Sequence, residues 1–223
     1  MARSVALAAA VAALAAAAWT ALDPARGLLA GLLVALALVV AGAAWFESGP
    51  DSAKDLTLVA TLGGIAAAGR VLFAPVPDVQ PVTVIVAATG AALGPRRGFA
   101  VGALAAIASN LFLGQGSYTP WQMLAWGGCG VLAGLLAPLL RRRLVFAGFA
   151  GLLGFVYGVP LDVYTWLALP HNEASLAVVF ARGFPFNAAH AIGNVVLALA
   201  AGPELRRLLE RYGRRLRTEV VWA

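Results

Sequence analysis

Asn187, His190 and Asn194 follow one another at spacings of four residues or fewer. On an α-helix that pattern puts two amides and an imidazole on one face. Asp162 lies in a separate apolar stretch. A buried carboxylate without a partner is costly, so the pattern predicts that Asp162 and His190, at similar depth, hydrogen-bond or pair. Such a pair is the minimal equipment for acid–base chemistry or a proton relay, and the amides beside it suit a polar ligand. A polar staple between two helices, with no ligand, would use the same residues.

A second group runs from Asn110 to Trp126 and contains two glycines, a proline, a tyrosine and two tryptophans. Tyr118, Trp121 and Trp126 could stack on a flat ligand, while Asn110, Gln115 and Gln122 fix its orientation. An aromatic belt at a membrane interface would look the same. Other chemistry is missing from the sequence: it has no Walker A motif, no HExxH and no carboxylate-rich diphosphate motif. Two histidines are too few for a histidine-rich metal site, and the single Cys129, inside an apolar run, reads as a small buried hydrophobe. The reading calls for no cofactor, no metal and no catalytic residue. Uphill movement of a solute would draw its energy from a partner or an ion gradient.

The elements that carry these residues are membrane helices. The chain is 61% hydrophobic and 12% charged, too little charge to cover a soluble domain of this size. Eight apolar spans are predicted, at 4–22, 26–46, 56–73, 79–93, 97–114, 120–140, 144–168 and 184–203. They lack the alternation of a β-barrel. Asp23-Pro24, the polar linker 47–55, Pro75, Pro77 and Pro81, Gly94-Pro95-Arg96-Arg97 and Arg141–Arg143 punctuate them. The 79–93 span is short for a bilayer and needs shielding by its neighbours. Arg3 before an alanine-rich run has the look of a signal peptide cleaved near Thr20-Ala21, but the apolar run that follows favours a retained hairpin.

Charge sets the orientation. With the N-terminus cytoplasmic, Arg3, Lys54, Arg96, Arg97, Arg141–Arg143 and the six arginines from Arg206 to Arg217 all fall inside, leaving Arg26, Arg70 and Arg182 outside or near it. Both termini are then cytoplasmic, in the cell membrane, and the net charge of +6 needs no nucleic acid to explain it. The tail from Glu204 to Arg217 is predicted as an amphipathic helix with Leu205, Leu208, Leu209 and Tyr212 on one face, lying on anionic lipid. In this orientation the polar side chains of the spans gather in the outer half of the bundle, and the inner halves are almost purely Ala, Leu, Val and Gly.

Residues 53–203 resemble the substrate-binding S-component of energy-coupling factor (ECF) vitamin transporters. The resemblance rests on Ser52-Ala-Lys-Asp-Leu opening the third span and on Ala91-Ala-Leu-Gly-Pro-Arg-Arg-Gly-Phe99. It rests also on the segment Ser109–Trp126 and on Phe186-Asn-Ala-Ala-His-Ala-Ile-Gly-Asn194. It implies an all-α six-helix core over 51–204 with a ligand pocket near the outer surface. The two extra spans make an N-terminal hairpin over 1–50, and 205–223 is a basic cytoplasmic tail. It implies partnership with a transmembrane coupling protein and two ATPase subunits, and inward delivery by toppling of the loaded protein. Ala60, Gly64 and Ala68, at four-residue spacing, form a small-residue strip. Alone, the strip reads as packing within its own bundle; the resemblance makes it the contact with the coupling protein. The segment 109–126 looks most like S-components associated with cobalamin. A corrinoid is therefore the expected ligand, held by the amides of Asn110, Gln122, Asn187 and Asn194 and covered by Trp121 and Trp126. Riboflavin or a thiamine precursor is the alternative vitamin. A proton-coupled permease or a membrane-embedded enzyme built on Asp162 and His190 is the alternative class.

Overall fold

The computed structural model describes residues 8, 11–13, 15, 26–49, 53–169 and 174–216. The expected first span, 4–22, lies mostly outside them. Seven α-helices are described: α1 (Gly27–Glu47), α2 (Ala53–Leu72), α3 (Val82–Leu93), α4 (Pro95–Leu113), α5 (Thr119–Leu135), α6 (Arg143–Ala168) and α7 (Leu176–Leu216). A 3-10 turn at Leu139–Arg141 precedes α6, and there is no strand among the described residues. The chain is an all-α polytopic membrane protein, as its apolar runs predict. α1, α2, α6 and α7 are each long and apolar enough to cross a bilayer. The bundle's outward surface is rich in bare hydrocarbon, with Leu72, Leu111, Phe112 and Leu144 all more than 70% exposed.

Local chemistry sets the helix ends. Gly94, at φ 98°, ends α3 and is followed at once by Pro95 at the start of α4. A positive φ suits glycine, and proline at the first helical position gives up an N–H that would be unpaired anyway. Gly114, at φ 106°, ends α4 in the same way. α3 has only 12 residues, about 18 Å at 1.5 Å per residue, too short for a core of about 30 Å. It survives because protein surrounds it: ten of its twelve residues are buried, among helices α2, α4, α5, α6 and α7. The shielding expected for this span is therefore present.

Glycine lets these helices approach closely. A Cβ on Gly90 would lie 2.1 Å from the Gly130 carbonyl oxygen, and one on Gly98 2.7 Å from the same atom. α3, α4 and α5 thus meet backbone to backbone. α6 and α7 do likewise, where a Cβ on Gly154 would sit 2.6 Å from Ala191 Cα. α1 is a further wall. Gly31 faces Trp121 and Gly42 faces Phe99, so α1 covers the aromatic side of α4 and α5.

The expected last span and the helical tail form one element: α7 runs unbroken for 41 residues through Pro185 and Pro203. A proline inside a helix is tolerated where neighbouring helices restrain the chain. The apolar face expected to lie on lipid is divided between the bundle, which takes Leu205 and Leu209, and the surface. Leu209 and Arg206 are buried and Gly213 abuts Leu93, while Leu208 and Tyr212 are exposed. The first turns of the tail pack on the bundle, with Leu209 in the main core.

Candidate functional site

The chain direction brings five segments to one end of the bundle: the end of α2, the 73–81 loop, the start of α5, the end of α6 and the start of α7. They enclose a cavity of about 490 Å³, lined by Arg70, Asp78, Gln80, Gln122, Tyr157, Asp162, Arg182, Phe186, Asn187 and His190 among others. Four expected site residues, Gln122, Asp162, Asn187 and His190, line it together.

The wall on the α2 side is a hydrogen-bonded chain. Arg70, 7% exposed, donates from Nη1 to Ser109 Oγ at 2.7 Å and to Asn110 Oδ1 at 2.5 Å. Ser109 passes its own proton to the Ala105 carbonyl at 2.7 Å. Asn110 donates from Nδ2 to Gln122 Oε1 at 2.8 Å and to Thr119 Oγ1 at 3.0 Å. Asn110, 1% exposed, therefore orients Arg70 and Gln122 from behind the cavity wall. No carboxylate pairs with Arg70 among the described residues, and its Nε has no hydrogen-bond partner.

Four flat groups then follow one another across the bundle. Arg70 Cζ lies 4.9 Å from the centroid of the Trp126 ring. Trp126 stacks on Tyr157 at 4.5 Å, and Tyr157 faces His190 at 4.9 Å. Trp126 is fully buried and donates from Nε1 to Thr83 Oγ1 at 3.1 Å. Thr83 Oγ1 lies 2.8 Å from His190 Nε2. An indole nitrogen only donates, so the threonine accepts from it and has its own hydrogen for the imidazole.

The opposite wall pairs Asp162 with Asn187, whose Nδ2 donates to Oδ2 at 3.0 Å. Two glycines make room for them. A Cβ on Gly158 would lie 2.1 Å from Asn187 Oδ1, and one on Gly183 would lie 2.4 Å from Asp162 Oδ1. The expected bond between Asp162 and His190 does not form. Asn187 is one helical turn nearer to α6's carboxylate, and Thr83 on α3 takes the imidazole instead.

The remaining expected residues lie elsewhere. Trp126 and Asn110 form a layer behind the cavity. Trp121 is buried between α1 and Tyr164, its Nε1 without a partner. Gln115 bonds the Ile107 carbonyl at 3.0 Å and accepts from Thr119 at 2.9 Å. Tyr118 donates to the Gly114 carbonyl at 2.7 Å and meets Tyr164 edge-on. These three hold the 114–118 connection in shape. Asn194 is fully buried and neither amide atom has a partner. Ala60, Gly64 and Ala68 are all exposed on one face of α2, and a Cβ on Gly64 would meet nothing within 4 Å. Among the described residues, the strip is left exposed rather than packed into the bundle.

Several cavity residues were not expected. Arg70 and Arg182 had a signal, being charges beside apolar spans. Tyr157 had a weaker one, as a polar aromatic in an apolar helix. Thr83, which lies behind the cavity as the partner of Trp126 and His190, had none, because a threonine in a helix usually satisfies itself on its own backbone.

The sequence model of one family, described as ECF transporter, substrate-specific component, matches residues 54–201. No curated protein and no solved structure matches the chain.

Proposed function

Because the chain belongs to the substrate-specific components of ECF transporters, we propose that the cavity between α2, α5, α6 and α7 is the vitamin pocket of an ATP-driven importer. The family is a transporter component, and the chain is a multi-pass membrane protein. The observation that carries the reading is the cavity itself. Its volume of about 490 Å³ falls within the roughly 300–1,000 Å³ usual for small-molecule sites, and a positively charged side chain without an acidic partner forms part of its wall.

The cavity supports a compact ligand over a corrinoid. A corrinoid joins a macrocycle, amide arms and a nucleotide tail, and most of it would stand outside this space. The groups expected to hold it are also engaged elsewhere: Trp121 and Trp126 are covered, and Asn110 is bound to Arg70 and Gln122. Riboflavin or a thiamine precursor fits the volume. Arg70 would meet an acceptor or anionic group on the ligand, Gln122 and Asn187 would bond its polar edge, and Phe186 would flank its ring. The acid–base and proton-relay readings lose their pair, since Asp162 and His190 each take a different partner.

The partners proposed are a transmembrane coupling protein and two ATPases. The outward Ala60/Gly64/Ala68 face of α2 supports a close helix contact there, and the arginine distribution supports a cytoplasmic side for both termini. Calorimetry or tryptophan quenching with riboflavin, thiamine and cobalamin tests the ligand. Tight binding of a smaller vitamin alone is expected. Binding of cobalamin alone would reverse the ligand assignment and leave the importer reading standing. Uptake that survives ATP depletion but stops with an uncoupler would overturn the ATP-driven reading.

A further inference from the structure

At the other end of the bundle a second cavity, of about 730 Å³, lies between the 136–143 connection and the part of α7 beyond Pro203. Four arginines, Arg141, Arg143, Arg206 and Arg207, line it against two carboxylates, Glu204 and Glu210. Two of the arginines build the walls. Arg206, 8% exposed, donates to the carbonyls of Leu140 and Ala137 and pairs with Glu210 at 2.8 Å. It fastens α7 to the 3-10 turn and takes up one of the two carboxylates. Arg143 donates to the Leu199 carbonyl. Arg141 and Arg207 make no hydrogen bond or ion pair among the described residues. Their charge is left for something outside the chain.

The surroundings say what that is. Arg143 opens α6, a helix long and apolar enough to span, so the cavity lies at the depth where hydrocarbon gives way to headgroups. Leu139 and Leu144, beside Arg141 and Arg143 in sequence, are 65% and 77% exposed. A soluble phosphate would need no such neighbours, whereas a phospholipid offers acyl chain to the leucines and phosphate to the arginines. The arginine distribution puts this end in the cytoplasmic leaflet. We propose that this cavity is a binding site for the phosphate of an anionic phospholipid of the inner leaflet. Arg141 and Arg207 are the ligands, and Arg206 is the residue that shapes the site.

The test uses the full chain in detergent, titrated with phosphatidylglycerol and phosphatidylcholine and read by native mass spectrometry. Phosphatidylglycerol should bind about tenfold or more tighter, the scale set by two arginines at a charged surface. Arg141→Gln/Arg207→Gln should lose that preference, each single variant should lose part of it, and Lys54→Gln/Arg215→Gln, outside the cavity, should keep it. Melting temperatures of the variants should match the parent, because neither Arg141 nor Arg207 bonds to the fold. Equal binding of the two lipids would overturn the proposal, as would an unchanged double variant or an equal loss in the control. Displacement of the lipid by glycerol phosphate at matched concentration would make it a site for soluble phosphates and overturn it too.

Discussion

The guanidinium of Arg70 lies over the ring of Trp126, 4.9 Å from its centroid, and together with two neutral oxygens that ring is the compensation the buried cation receives. A cation on an indole face gains about 0.5–2 kcal/mol, more as water is excluded. The hydrogen bonds to Ser109 and Asn110 satisfy part of its donor fork, but nothing neutralises its charge. A buried cation held this way leaves a positive potential at the cavity wall, and a ligand acceptor or anion is what would use it.

Arg70→Lys therefore is not a conservative change. Lysine keeps the charge, but it lacks the planar fork that reaches Ser109 and Asn110 together and lies flat on the indole. Asn110 would lose the partner that fixes its amide, and Gln122 would lose its orientation in turn. Vitamin affinity should fall by roughly tenfold or more, from losses of about 1–3 kcal/mol for a charged hydrogen bond. Calorimetry against the parent checks it. Unchanged affinity would mean that Arg70 serves the fold alone.

The helices were readable because a bilayer demands long apolar runs, and the charge clusters marked where they stop. Their ends were less readable at the tail. The span and the tail read as separate elements, yet Arg206 and Leu209 bind the turns after Pro203 to the bundle and α7 continues through them. The site was legible where spacing on one helix decided it, as for Asn187 and His190. It was not legible where partners come from different helices. Which of Asn187 and His190 meets Asp162 depends on Gly158 and Gly183 letting α6 and α7 close on each other. The aromatic loop was ambiguous because covering a ligand and packing edge-on or tilted against Tyr164 demand the same residue types.

Gly63 and Gly64 are neighbours with opposite surroundings. A Cβ on Gly63 would meet Leu104 at 2.7 Å, and one on Gly64 would meet nothing within 4 Å. Gly63→Leu should lower the melting temperature by overpacking, a cost of about 1–3 kcal/mol. Gly64→Leu should leave the melting temperature and vitamin affinity near the parent's while uptake falls, because close approach of a partner helix is blocked. If Gly64→Leu lost binding and uptake together, the strip would belong to the fold.

Topology can be read at Ser117, an exposed residue of the 114–118 connection. Cys129 is fully buried, so Cys129→Ala removes background thiol at the cost of little volume. In that background Ser117→Cys should react with a membrane-impermeant thiol reagent in intact cells. Labelling that appears only after lysis would invert the orientation and put the proposed vitamin cavity on the cytoplasmic side.

Asp78 makes the pocket's charge depend on pH. It lies in the 73–81 loop, outside the spans, at φ 57°, a left-handed backbone that aspartate and asparagine tolerate better than most residues. Burial pushes its carboxyl above the usual carboxylate range. The folded state thus disfavours the charged form. Asp78's contribution to stability is greatest below the ordinary carboxylate pKa and is lost as pH rises through the raised value. For binding, lowering the pH through that value removes one negative charge from a cavity that also holds Arg70, Arg182 and Asp162. An anionic ligand should then bind more tightly in mild acid, and a cationic one more weakly. Asp78→Asn keeps the backbone conformation and removes the titration. It should give an anionic ligand its acid-strengthened affinity already at neutral pH, with a flat profile across the window. Calorimetry from mildly acidic to neutral pH, on both proteins, measures this. A slope that persists in Asp78→Asn would assign the titration to another group of the cavity.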